Sequence, residues 1–335
     1  MIHTYVNQSG RFVLAGEDLA GLADAVWIDL LRPTKEEEAA VERAFGIDVP
    51  TREETSEIEL SSRLYAEDDA HFMTAMMLSH TDSDNVLLSP ATFVLLGDQL
   101  VTVRYEEPRA IDVFVARCQK SGTMTAESLF AGLLEALIER AGDVLERAGH
   151  ELDAISREVF SIEPPAPKAK GVARLLPEKP KPKPRDFQSV LERVGRKGDL
   201  MSKVYESLNS VQRLLTYAAA TVQARKADKS ASSQFKLLGR DVQSLVDHAA
   251  FLTQKINFLL DATLGMINIQ QTSIIKIFSV AAVVFLPPTL IASIYGMNFK
   301  FMPELAWPSG YPFAIGMMIL SAIVPYQFFK WRGWL

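Results

Sequence analysis

Two long stretches without a single charge constrain this chain more than any other feature. No Asp, Glu, Lys or Arg occurs between Lys276 and Lys300, and none between Glu304 and Lys330. Each gap exceeds the roughly 20 apolar residues that a helix needs to cross the hydrocarbon core of a bilayer. Backbone surrounded by lipid must satisfy its own hydrogen bonds, so each run is expected to be a helix and the pair to span a membrane. The alternative is a pair of buried helices in a soluble core, but charge-free runs this long are rare outside membranes.

The flanks orient the pair. The second span, Tyr311 to Phe329, is bracketed by Trp307 and Tyr311 on one side and by Lys330, Trp331, Arg332 and Trp334 on the other. Aromatic residues mark both water boundaries, and the basic tail marks the cytoplasmic one. Lys276 stands at the start of the first span, so both termini are expected inside. The opening residues, MIHTYVNQSGRFVLAG, lack the basic and apolar regions of a signal peptide, which keeps the N-terminal bulk in the cytoplasm. A lone Cys118 excludes an internal disulfide and a thiolate metal cage, and reads as an ordinary buried residue. The net charge of -6 and the absence of zinc-ligand or P-loop spacing give no support to nucleic-acid binding. Much of the acidic excess comes early, in KEEEAAVE, REETSEIE, AEDD and HTDSD, and reads as solvated surface that tolerates cations.

The chain is therefore read as an α+β membrane protein. Residues 1–120 are expected to form a cytoplasmic α/β domain, with strands in IHTYV, RFVLA, AVWIDL, ATFVLL and QLVTVRY, and a helix opened by a capping box from Thr34 to Glu37. Residues 121–231 read as a helical cytoplasmic region: a long amphipathic helix from about Thr125 and another from about Asp186. They are separated by a Pro/Lys-rich loop, 163–185, whose composition cannot bury a core. Residues 232–273 read as a stalk helix that runs on into a first transmembrane helix, 274–297. An outer loop at 298–310 and a second transmembrane helix with a basic tail at 311–335 complete the chain. Pro287 and Pro288 fall inside the first span, where a kink is tolerated if neighbouring helices repair the lost hydrogen bonds.

Two helices per chain cannot enclose a polar path, so transport requires an oligomer with one span of each copy lining a shared axis. At helical spacing Thr272, Ile275, Phe278 (with Ser279 as an alternative), Ala282, Leu286, Thr289 and Ser293 share a stripe, polar at both ends and apolar between. That pattern suits a pore with a constriction that dewets and closes. The same spacing also suits lipid-facing and helix-packing positions whose hydroxyls bond to their own backbone. Asn298 is five residues past Ser293, about 140° off the stripe on an unbroken helix. Gly296 is therefore expected to end the helix in a left-handed conformation, letting Met297 and Asn298 turn inward. One Asn per copy places a ring of neutral carbonyl oxygens at the outer mouth. Mg2+ sheds its waters reluctantly, and such a ring accepts hydrogen bonds from the hydrated ion while holding it weakly enough to release it.

YGMNF (Tyr295 to Phe299) after a proline-containing apolar helix, followed by MPEL, GYP and the basic end FKWRGWL, resembles the CorA family of magnesium transport proteins. The resemblance covers the membrane region, and the order of α/β domain, long helices, stalk and two spans is also similar. It implies a homopentameric, funnel-shaped channel rather than an enzyme, in a bacterial-type inner membrane. That channel would pass Mg2+, and also Co2+ or Ni2+, under control of intracellular Mg2+. It implies an outer selectivity site at Gly296, Met297 and Asn298, a pore lined by the stripe from Thr272 to Ser293, and Glu304 near the mouth, where it either attracts cations or pairs with Lys300. Asp82, Asp84, Asp241, Asp247 and Asp261 are candidates by position for regulatory Mg2+, although each also suits a solvated surface. The loop at 163–185 departs from the family pattern. The related ZntB zinc transporters share the architecture, but their usual outer motif has Val where Met297 stands, which favours magnesium. A membrane-tethered helical scaffold without transport is the remaining alternative.

Overall fold

The structure is a computed structural model that describes residues 1–16, 21–55, 63–83, 85–120, 122–160, 186–225, 229–298, 302–303 and 307–334. The chain forms two compact units, Met1–Leu259 and Leu260–Leu335. The Pro/Lys-rich loop at 163–185 lies outside the described residues.

The first unit is built on seven strands: β1 (Ile2–Gln8), β2 (Arg11–Gly16), β3 (Trp27–Leu31), β4 (Leu64–Glu67), β5 (Ala70–Ser79), β6 (Leu87–Leu96) and β7 (Gln99–Arg104). They lie in the order β2-β1-β3-β7-β6-β5-β4. Among the described strands β3 with β7 is parallel and the other pairings are antiparallel. The tight turns explain much of this, since Ser9 and Gly10 between β1 and β2 both take positive φ, 52° and 79°, as a two-residue hairpin turn requires.

Alternation along β3 divides the sheet into two faces. Ile28 and Leu30 join Val101, Val103 and Val41 in the core beneath α1 (Lys35–Phe45). Thr34 and Glu37 close the anticipated capping box on α1: the Thr34 amide donates to Glu37 Oε2 at 2.7 Å and the Glu37 amide to Thr34 Oγ1 at 3.3 Å. A one-turn helix, α2 (Arg52–Thr55), follows. On the opposite face Trp27 meets Phe114 of α3 (Arg109–Cys118) at 6.2 Å, and Phe93 meets Phe130 of α4 (Ala126–Phe160) at 5.2 Å. Cys118 is buried here, and burial pushes its thiol up to about 11, so it carries no thiolate near neutrality.

Three long helices follow: α4 and α5 (Phe187–Ala224) pack on the sheet, and α6 (Lys229–Tyr295) packs on them. Asp186 caps α5 through the Ser189 amide at 3.2 Å. Helix α5 also seals a sheet edge. β4 pairs with β5 only from Ala70 to Met73, and beyond it the Met76 amide donates to Ser210 Oγ at 2.8 Å while its carbonyl accepts from Ser207 Oγ at 2.7 Å. Unpaired strand groups are thus satisfied by a helix instead of a strand. Gly142 and Gly149 of α4 face Leu245 and Leu252 of α6, where an added Cβ would lie 3.7 Å from each leucine. Lys255 on α6 donates to Asp153 on α4 at 2.6 Å and holds that carboxyl below its ordinary range.

A buried ion pair sits between the two parallel strands. Arg104 Nη2 donates to Asp29 Oδ2 at 2.8 Å and Nε to Oδ1 at 3.0 Å, while Thr102 Oγ1 donates to Oδ1 at 2.6 Å. Both side chains are almost wholly removed from solvent.

In the second unit, α6 continues through Pro287 and Pro288 to Tyr295, and α7 (Gly310–Trp331) follows. Helix α6 starts at Lys229, slightly before the anticipated Ser232. Both carry windows apolar enough to cross a membrane, and those windows are almost entirely uncovered.

Candidate ion pathway

All seven residues of the stripe, Thr272, Ile275, Phe278, Ala282, Leu286, Thr289 and Ser293, are exposed in the isolated chain. Phe278 is 71% accessible and Leu286 65%. Other residues of the same helix are covered: Val280 is buried, and Val284, Pro287 and Ile291 are half-buried. Ser279, the alternative to Phe278, is half-buried too. On α7, Ala314 is buried and Met318, Ser321 and Pro325 are half-buried at the same three-and-four spacing. Each span therefore has one covered face, and on α6 that face is not the stripe.

Two of the stripe's hydroxyls donate to defined backbone acceptors. Thr272 Oγ1 donates to the Asn268 carbonyl and Thr289 Oγ1 to the Phe285 carbonyl, both at 2.8 Å. Each oxygen keeps lone pairs free to accept from water. A water-clad cation offers hydrogens outward, so hydroxyls held this way suit it.

Helix α6 ends where expected, but not by the expected means. Gly296 does not adopt the left-handed conformation. Its amide donates to the Ala292 carbonyl at 3.0 Å, and Met297 donates to the Ile294 carbonyl at 3.3 Å, which tightens the last turn. Glycine is suited here by crowding, because a Cβ would lie 3.2 Å from the Ala292 carbonyl oxygen. Met297 and Asn298 follow in irregular, exposed backbone. Glu304 and Lys300 lie outside the described residues.

Among the described residues the regulatory candidates form no metal-holding cluster within one chain. Asp82 accepts from Arg109 Nη1 at 2.6 Å and, on its other oxygen, from Arg140 Nη2. The hydrogen bond from Arg109, then that from Arg140, hold its carboxyl below the usual range. It also lines a cavity of about 140 Å³ with Arg147, Arg196, Lys197 and Glu151, where Lys197 is paired with Glu151. Asp84 lies outside the described residues. Asp241, Asp247 and Asp261 are exposed on α6, and Asp247 accepts from Gln243 at 3.0 Å. Among the described residues no cluster of three or more His, Cys, Asp or Glu side chains could hold a metal ion.

The order of these parts along the chain is that of a known family. The family model for the CorA-like Mg2+ transporter protein matches residues 23–177 and 185–330. The chain belongs to the CorA family. Magnesium transport protein CorA of Yersinia pestis is 34% identical over 331 residues, covering 98% of this chain and 97% of the relative. Its counterpart in Escherichia coli (strain K12) is 34% identical over 338 residues, covering both chains completely. The complete CorA magnesium transporter from Methanocaldococcus jannaschii has the same fold, with a TM-score of 0.74 at 18% identity over 100% of this chain and 99% of that one. A transporter family together with two uncovered apolar helices makes this CorA-family chain a membrane protein and not an enzyme.

Proposed function

We propose that the chain is one subunit of a homopentameric channel that takes up Mg2+, and with it Co2+ and Ni2+, across the inner membrane of a bacterial-type cell, both termini cytoplasmic. The observation that carries this reading is the orientation of α6: its polar-apolar-polar stripe is exposed while other residues of the same span are covered within the unit. The Thr272 and Thr289 hydroxyls, bonded to their own backbone, are satisfied even in lipid; around a shared axis their spare lone pairs also line a wetted path with an apolar waist at Phe278, Ala282 and Leu286. Gly296, Met297 and Asn298 of each copy form the outer selectivity site, and Glu304 raises the local concentration of cations at the mouth. Met297, at the position where the ZntB type carries Val, favours Mg2+ over Zn2+.

Regulation follows from charge. Bringing carboxylates of adjacent copies together costs about 1 kcal/mol per pair at 4 Å in bulk water, and more where water is excluded. Internal Mg2+ bound among Asp241, Asp247, Asp261 and Asp84 cancels that repulsion and favours the closed arrangement by binding it more tightly. Asp82 joins such a site only by exchanging its two arginine partners for the ion. The test is Mg2+ influx into vesicles containing only this protein, with Zn2+ measured in parallel. Saturable Mg2+ flux blocked by internal Mg2+ is expected; no flux of either ion leaves the scaffold reading, and Zn2+ flux alone reverses the ion assignment.

A further inference from the structure

The end of α7 folds into a defined clasp. Gly333 takes φ +72°, its amide donates to the Lys330 carbonyl at 3.2 Å, and the Trp334 amide reaches back to the Phe329 carbonyl at 3.0 Å. These are the two bonds of a Schellman motif, and the apolar contact that accompanies one is present: Trp334 stacks on Phe329 with ring centroids 5.3 Å apart. The motif turns Trp334 back toward the start of the first span, where Lys276 Nζ lies 5.8 Å from its ring centroid. Arg332 sits over Phe328 at 5.8 Å, and Trp331 is 81% accessible.

Acidic side chains are sparse around the clasp. Between Asp261 and the end of the chain the single acidic residue is Glu304. Asp261 precedes Lys276 by fifteen residues, about 22 Å of helix. Lys276, Lys330 and Arg332 thus lie at one end of the two spans, and among the described residues from 262 to 334 no acidic side chain accompanies them. A cation over an indole is held in place yet keeps its charge.

We propose that this clasp binds the phosphate of an acidic phospholipid in the adjoining leaflet, with Lys276, Lys330 and Arg332 as the cations and Trp331 and Trp334 as the interfacial platform. The site rests on the membrane-channel reading and adds a ligand to it. Because Lys276 lies on α6 between Thr272 and Phe278, a bound headgroup bears directly on the pore helix, so leaflet charge tunes flux.

The test uses the purified full chain in neutral detergent, with thermal stabilisation read as phosphatidylglycerol or phosphatidylcholine is added. Each cation contributes roughly a fivefold preference for the acidic lipid, on the order of a hundredfold for the three. The Lys276→Gln, Lys330→Gln, Arg332→Gln combination should bring the ratio near one, while Lys276→Arg should keep it. Gly333→Ala, strained in the left-handed region, should lower it by misdirecting Trp334. An unchanged ratio in the triple variant, or equal stabilisation by soluble glycerol phosphate, overturns the lipid site. Mg2+ influx into vesicles that contain phosphatidylglycerol separates the two ideas. Flux without lipid preference overturns the clasp alone, and lipid preference without flux supports the clasp and overturns transport.

Discussion

Asn298→Ala separates selectivity from folding. The side chain is exposed, and the bonds that close the end of α6 are backbone ones, from Gly296 to Ala292 and from Met297 to Ile294. Truncating such a side chain changes stability by no more than about 0.5 kcal/mol. Its effect on a hydrated ion is far larger if five copies converge. Five amide oxygens each accept a hydrogen bond worth about 1 kcal/mol net, so replacing them with methyl groups removes about 5 kcal/mol from ion binding. That corresponds to more than a thousandfold in occupancy. The assay is Mg2+ influx into vesicles followed with an entrapped indicator dye, beside size-exclusion and thermal unfolding of the same preparation. Abolished flux with an unchanged elution volume and midpoint is expected. Flux near the parent level refutes the carbonyl ring; lost flux with a collapsed midpoint refutes the premise that Asn298 carries no fold.

Leu286→Ser or Phe278→Ser should wet the apolar waist and raise leak at high internal Mg2+; unchanged closed-state conductance would remove both from the gate. Replacing Asp241, Asp247 and Asp261 together by Asn should move inhibition by internal Mg2+ to higher concentration, and an unaltered inhibition curve would reject them as sensors. Asp29→Asn strands the buried Arg104 charge and should cost about 3–5 kcal/mol, whereas the Asp29→Leu, Arg104→Met pair should cost far less; equal midpoints for the two variants would contradict this account. His71 is held below its ordinary 6.5 by burial and then by Arg225, so the unfolded chain takes up the proton first as pH falls. Stability of the N-terminal unit should therefore fall as pH drops through about 6.5, and His71→Gln should flatten that slope; an identical pH profile would show the histidine uninvolved.

Features written in neighbouring residues were legible. The charge-free runs, the capping box from Thr34 to Glu37, the helix start near Asp186 and the unbroken character of α6 all depend on local periodicity or on partners three or four residues away. β5 leaves no such trace: AHFMTAMMLS is buried on both faces, so it shows no alternation. Gly296 was legible as a helix end, while its reason, crowding against a carbonyl, required coordinates.

Sequence by itself determined the membrane spans, the family motif and the residues sharing the α6 stripe, because bilayer thickness and helical pitch act on consecutive residues. Tertiary structure alone decided which stripe of α6 stays uncovered and that Asp82 is claimed by arginines 27 and 58 residues away. It also decided that Asp29 is paired with Arg104 across the parallel strands, 75 residues on, and that Trp334 folds back over Lys276. Charge and burial are properties of what surrounds a side chain, and surroundings assembled from distant segments have no local signature.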